Sequence, residues 1–184
     1  MNRIMLTLML LLPTAALAHP GHGVEYSFLA GLTHPVGGLD HLLAMVAVGL
    51  CASVLGGRAL WALPLAFVGG MVAGGLAGAA ALPLPTVEPM ILASIVVLGA
   101  LTAAALNPSL PLVAAVTAAF GLFHGHAHGT EGPTGGLALY AIGFVLATAG
   151  LHLAGIALGR GLQRNLTRVA GGLTAIAGVA LALG

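Results

Sequence analysis

Apolar residues run along this chain in long blocks rather than in short alternations. Six blocks stand out, at residues 28–55, 59–81, 89–106, 110–128, 135–158 and 166–183. Each is close to the ~20 residues an α-helix needs to cross a bilayer. The separators are rich in glycine, proline and arginine: Gly56-Gly57-Arg58, Leu82-Pro83-Leu84-Pro85, Asn107-Pro108, Gly129 to Thr134, and Arg160 to Arg168. The pattern predicts an all-α fold, a polytopic membrane bundle of six transmembrane helices. Because the connections are short, sequence neighbours are expected to pack antiparallel.

The first block is too long for one regular helix. Pro35 removes a backbone donor, and Gly37-Gly38 weakens the turn after it. A short entry piece, an unwound stretch near His34 to Gly38, and a helix from about Leu39 are expected. Broken backbone at membrane depth is tolerated where it lines a cavity. Gly70, Gly74 and Gly78 repeat every four residues, a spacing that lets helix backbones approach closely. Trp61 and Tyr26 are placed to anchor the interfaces.

Composition makes the membrane reading firm. The chain is 59% hydrophobic and 5% charged, against about a quarter charged in soluble domains. A net charge of +1 with no lysine gives no reason to expect a nucleic-acid partner; the partner implied by composition is the lipid bilayer. Cys51 is the single cysteine, so it forms no intrachain disulfide and reads as a small core residue.

Residues 1–18 have the form of a cleavable signal peptide. Arg3 is the positive start, Ile4 to Leu12 the apolar core, Pro13 the break and Ala16-Leu17-Ala18 the cleavage site. The six-helix transmembrane domain would then be 19–184, starting outside the cytoplasm. With six spans, Arg58 and the Arg160/Arg164/Arg168 loop fall on the cytoplasmic side, as the positive-inside rule requires. Glu25, Glu88 and Glu131 fall at outer ends. Both termini are expected to be periplasmic, in an inner (cell) membrane.

Against this apolar background two clusters combine imidazole and carboxylate: His34-Pro-Val-Gly-Gly-Leu-Asp40-His41 and His124-Gly-His126-Ala-His128-Gly-Thr-Glu131. Ionisable groups in membrane spans are costly and mark function. Imidazole and carboxylate also bind divalent transition metals. His124 and His128, at i and i+4, share a helix face, and His126 faces the other way. Asp40 either flanks the site or orients a histidine. Met45 is one turn from His41, as a packing residue or a soft ligand. His152 reads as an interhelical hydrogen-bonder near the inner end of the fifth helix, with a metal role, like that of His126, as the alternative. His19 and His22 lie at the mouth, where they either capture metal or are merely solvated. Counted from the outer surface, the two clusters reach overlapping depths.

These residues also carry a resemblance. His34-Pro-Val-Gly-Gly-Leu-Asp40-His41 with Leu-Leu-Ala-Met-Val-Ala-Val-Gly49, and Phe123-His124-Gly125-His126-Ala127-His128-Gly129-Thr130-Glu131, are similar to the two signatures of the HupE/UreJ proteins. The resemblance implies a permease for Ni2+, or Co2+, serving a hydrogenase or urease. It implies that His34, Asp40, His41, His124, His128 and Glu131 occupy motif positions, and that His126 falls where the motif varies. The metal is then cargo and not a permanent cofactor, and a cytoplasmic nickel acceptor or chaperone would receive it. No G-x-x-x-x-G-K-[ST] loop is present, so a secondary or facilitated carrier is expected rather than a nucleotide-driven pump. The same residues admit two other readings: an intramembrane zinc-dependent hydrolase with Glu131 as general base, or a membrane metal sensor or chaperone.

Overall fold

The computed structural model describes residues 28–132 and 136–184. The expected signal peptide, His19, His22, Glu25 and Tyr26 lie outside the described residues. Among those described, every regular element is helical: α1 (Phe28–Gly37), α2 (Leu39–Leu55), α3 (Ala59–Ala79), α4 (Val87–Ala104), α5 (Leu110–Glu131), α6 (Leu137–Gly161) and α7 (Arg164–Leu183). Five of these are long and apolar enough to cross a membrane, and α1 with α2 forms a sixth, broken span bent by 87°. The chain is an all-α polytopic membrane bundle.

The break is narrower than the sequence suggests. Residues 34–37 remain helical, and only Gly38 leaves the helix, with extended backbone at φ −112° and ψ 125°. Pro35 lies inside α1, near its end, where it withdraws one hydrogen bond from the Gly31 carbonyl without ending the helix. The helix does restart at Leu39.

Each later helix buries one stripe of small or apolar residues and turns leucine outward. In α3 the stripe is Leu63, Phe67, Met71, Gly74 and Gly78, while Leu65 and Leu76 are exposed. That is a single-faced helical repeat. It is inverted only in that the outward face is as apolar as the inward one, as lipid allows.

The tightest packing does not follow chain order. The closest pairs are α3 with α5, α4 with α7, and α2 with α6, whereas α3 with α4 and α5 with α6 barely touch. This corrects the expectation that sequence neighbours would pair. The cause is glycine. A Cβ at Gly70 would strike the Ala118 carbonyl, and one at Gly74 the Leu122 carbonyl. In return, Gly121 and Gly125 lie against the carbonyls of Phe67 and Met71. Contacts advancing together along both helices mean that α3 and α5 run parallel, backbone on backbone. Small-residue seams of this kind hold membrane helices where apolar burial gives no drive. Gly49 and Gly155 make a comparable seam between α2 and α6, and Gly31 and Gly143 one between α1 and α6.

The two ends of the bundle differ. One carries the α1–α2 break and the end of α5, and so both histidine clusters. The other carries Arg58, Arg160, Arg164 and Arg168.

A histidine cluster where the broken span meets α5

The glycine seams decide where the histidines point. Gly121, Gly125 and Gly129 face α3, which turns His124 and His128 on the adjoining strip toward α1, α2 and α6. α5 runs on to Glu131, past Gly129, so both histidines stay on a regular helix. The Gly38 break swings His34 and His41 to the same place. His34 lies 4.8 Å from His128, His41 lies 4.6 Å from His128, and His41 lies 5.2 Å from His124, ring centre to ring centre. Four imidazoles from three helices therefore form one group. His34 and His41 of the first sequence cluster thus lie beside His124 and His128 of the second.

Asp40 is the orienting carboxylate. Its Oδ1 accepts from the His41 backbone N–H at 2.8 Å and lies 2.9 Å from His41 Nδ1. A carboxylate on Nδ1 holds the proton there and leaves Nε2 as the free lone pair. His124 is set up in the same way. Its Nδ1 donates to the Phe120 carbonyl at 2.9 Å, and a carbonyl can only accept, so Nε2 carries the lone pair. Neither His41 Nε2 nor His124 Nε2 has a partner, and neither ring nitrogen of His128 has one. His124 is fully buried. Buried polar atoms are nearly always paired, so this concentration of free imidazole nitrogens is unusual chemistry.

Aromatic side chains close the group. Phe144 packs 4.3 Å from His128, Tyr140 stands 5.7 Å from His34, and the Phe67 ring lies 5.1 Å from His124. Sequence reasoning missed all three. They sit in apolar spans and look there like any lipid-facing or core aromatic.

The remaining candidates separate clearly. Met45 is fully buried in the hydrophobic core, as a packing residue. His126 faces away from the cluster and donates from Nε2 to the Leu82 carbonyl at 2.7 Å, tying α5 to the loop after α3. Glu131 is exposed at the end of α5, and its charge reaches His34 and Tyr140 only through space. Glu88 is exposed in the first turn of α4. His152 departs from expectation. It is fully buried with no hydrogen-bond partner at either ring nitrogen, so it is not the satisfied interhelical bonder the sequence suggested. It also stands nine residues short of the end of α6, nearer mid-depth than the inner end.

The imidazoles meet ring against ring. Among the described residues, no three His, Cys, Asp or Glu side chains aim their ligand atoms at one point. The centres are gathered, but the nitrogens do not yet converge. Beside His128 an apolar groove of about 440 Å³ opens between α3, α5 and α6, where the backbones of α5 and α6 stand apart.

Comparison with known proteins agrees with the motifs. The family described as HupE / UreJ protein matches residues 7–181. Protein HupE of Rhizobium leguminosarum bv. viciae is 47% identical over 181 residues, which is 95% of this chain and 94% of that relative. No solved structure matches the chain. The family match over residues 7–181 and the 47% identical relative place the chain in one family: it belongs to the HupE / UreJ proteins.

Proposed function

We propose that this protein is a permease that admits Ni2+, or Co2+, across the inner membrane to supply a nickel enzyme such as a hydrogenase or urease. The observation that carries the reading is the gathering of four imidazoles, three of them with unpartnered buried nitrogens, at the end of the bundle away from the arginines. By the positive-inside rule that end is periplasmic, as are both termini, once residues 1–18 are removed as a signal peptide.

Ring spacing supports a shared cation. A metal–nitrogen bond near 2.0–2.1 Å puts a ring centre roughly 3.2 Å from the metal, so two rings at roughly 90–110° lie about 4.5–5.2 Å apart. The observed separations of 4.6, 4.8 and 5.2 Å fall in or near that range. Turning the rings about their side-chain torsions would then bring nitrogens to bear without moving helices. His34, His41, His124 and His128 are the ligands in this reading. Asp40 fixes His41 and offsets part of the cation's charge. Glu131 and Glu88 draw the hydrated cation to the mouth. Tyr140, Phe144 and Phe67 exclude water, which strengthens each ion–ligand contact.

Transport follows from the membrane potential. Moving two positive charges inward is favoured by about 4.6 kcal/mol per 100 mV. A cytoplasmic nickel acceptor would complete release. Protons compete for the same lone pairs, so binding weakens as the outside pH falls.

The apolar groove beside His128 is the one feature that favours the hydrolase reading, since such an enzyme needs access from lipid. Glu131, the general base that reading needs, is however exposed at the end of α5 rather than set among the imidazoles. Uptake of radiolabelled nickel into proteoliposomes with an inside-negative potential tests the permease reading. Saturable uptake, lost when the potential is collapsed, is expected. Absence of uptake, with a stoichiometric metal surviving purification, would contradict it.

A further inference from the structure

The cluster does not account for every unpartnered polar atom. Among the described residues, buried side-chain nitrogens and oxygens without a hydrogen-bond partner belong to His41, His124, His128, Thr117 and His152. The first three are in the cluster. The last two are deeper, and both are completely buried.

Their positions continue the cluster inward. Thr117 precedes His124 by seven residues, so it lies on the same face of α5, about 10 Å further in. His152 follows Phe144 by eight residues on α6, about 12 Å beyond the level at which Phe144 meets His128. Phe67 stands between the levels. Its ring centre is 5.1 Å from His124 and 5.1 Å from His152, meeting the second edge to face at 88°. The rings of His41, His124, Phe67 and His152 thus form one continuous line from the break toward the bundle centre.

A histidine held there only for packing would be cheaper as leucine. One held to bridge helices would have a partner. Free lone pairs in a line with the cluster are what a passing cation requires.

We propose that His152, with Thr117 about 4 Å deeper, is an inner station for the same divalent cation, separated from the outer cluster by the ring of Phe67. The inference rests on the permease reading. A cation leaving the cluster passes the aromatic ring, which attracts cations through its face, and exchanges cluster imidazoles for His152. One imidazole and a hydroxyl bind more weakly than four imidazoles. Conduction needs such successive, weaker sites so that the ion can leave.

The test uses the full chain in proteoliposomes and in detergent, with His152→Leu and His152→Cys. Nickel titration should show His152→Leu binding at the outer cluster with unchanged affinity, while its maximal uptake rate falls about tenfold or more. His152→Cys, which keeps a metal ligand, should recover a substantial part of the rate. Wild-type uptake by His152→Leu would overturn the inner station and leave the permease reading standing. Loss of binding and uptake together in a stably folded variant would also overturn it, by making His152 a support of the cluster. Should the leucine variant not fold, His152→Gln takes its place, and wild-type uptake there again overturns the proposal. If wild-type protein takes up no nickel, the permease reading itself fails, a result read before any variant.

Discussion

Two regions of this bundle bury polar side chains, and they treat them in opposite ways. Along the α4–α7 seam every such group is satisfied. Ser94 donates to the Ile91 carbonyl, Thr102 to Leu98 and Thr174 to Ala170, each within its own helix. Arg168 reaches across to the Ala103 carbonyl at 2.8 Å. Along the line from His41 through His124 and His128 to His152, imidazole nitrogens are left open. Both regions sit in the same apolar solvent, where an unpaired polar group costs about 1–3 kcal/mol or more. In α4 and α7 the polar groups serve packing. In the histidine line the cost is borne without return inside the protein, and a cation is the partner whose chemistry suits free imidazole.

The comparison breaks most sharply at the cluster. His41→Ala or His128→Ala should remove uptake, by more than the ~100-fold upper range for losing a supporting partner of a metal ligand. Near-wild-type transport in both would erase the distinction between the two regions. Asp40→Asn keeps the shape and an acceptor for His41 but loses the charge. Apparent nickel affinity should drop about 10–100-fold with the protein still folded, as judged by titration.

Backbone seams come next. Gly74→Ala drives a methyl into the Leu122 carbonyl, whereas a methyl at Gly69 meets nothing within 4 Å. Thermal unfolding in detergent should show Gly74→Ala losing about 1–3 kcal/mol and Gly69→Ala changing by less than about 1 kcal/mol. Equal effects would mean that the seam does not position α5. His126→Ala removes one hydrogen bond to Leu82 and should cost about 1 kcal/mol of stability, with uptake largely kept. The smallest change belongs to the satisfied region. Thr102→Val keeps the shape, so uptake should be unaltered and stability should shift by no more than about 1 kcal/mol.

Much of this was legible in the sequence because the bilayer imposes so few solutions. Length and breakers located the spans to within about three residues, and Pro35 with Gly37-Gly38 located the bend. Matching depth joined the clusters at His34, His41, His124 and His128. Packing partners were not legible in the same way. Gly70, Gly74 and Gly78 announced a close approach but not its partner, although Gly121, Gly125 and Gly129 form a second ladder of the same spacing and were the available signal. Gly129 looked like a helix end because glycine is a weak helix former in water. Here it lies against α3 at Gly75, and the helix continues. Nothing local marked Phe67 or Phe144, whose contacts depend on which helices meet. The state of His152 was likewise invisible, since the absence of a partner is a property of the whole fold.

The central claim is that the gathered imidazoles hold the cation, and X-ray absorption at the nickel edge measures that directly on purified protein loaded with one equivalent of Ni2+. The account predicts several imidazole ligands in the wild type and one fewer in His128→Ala at the same loading. A first shell of oxygen alone, unchanged by His128→Ala, would contradict it.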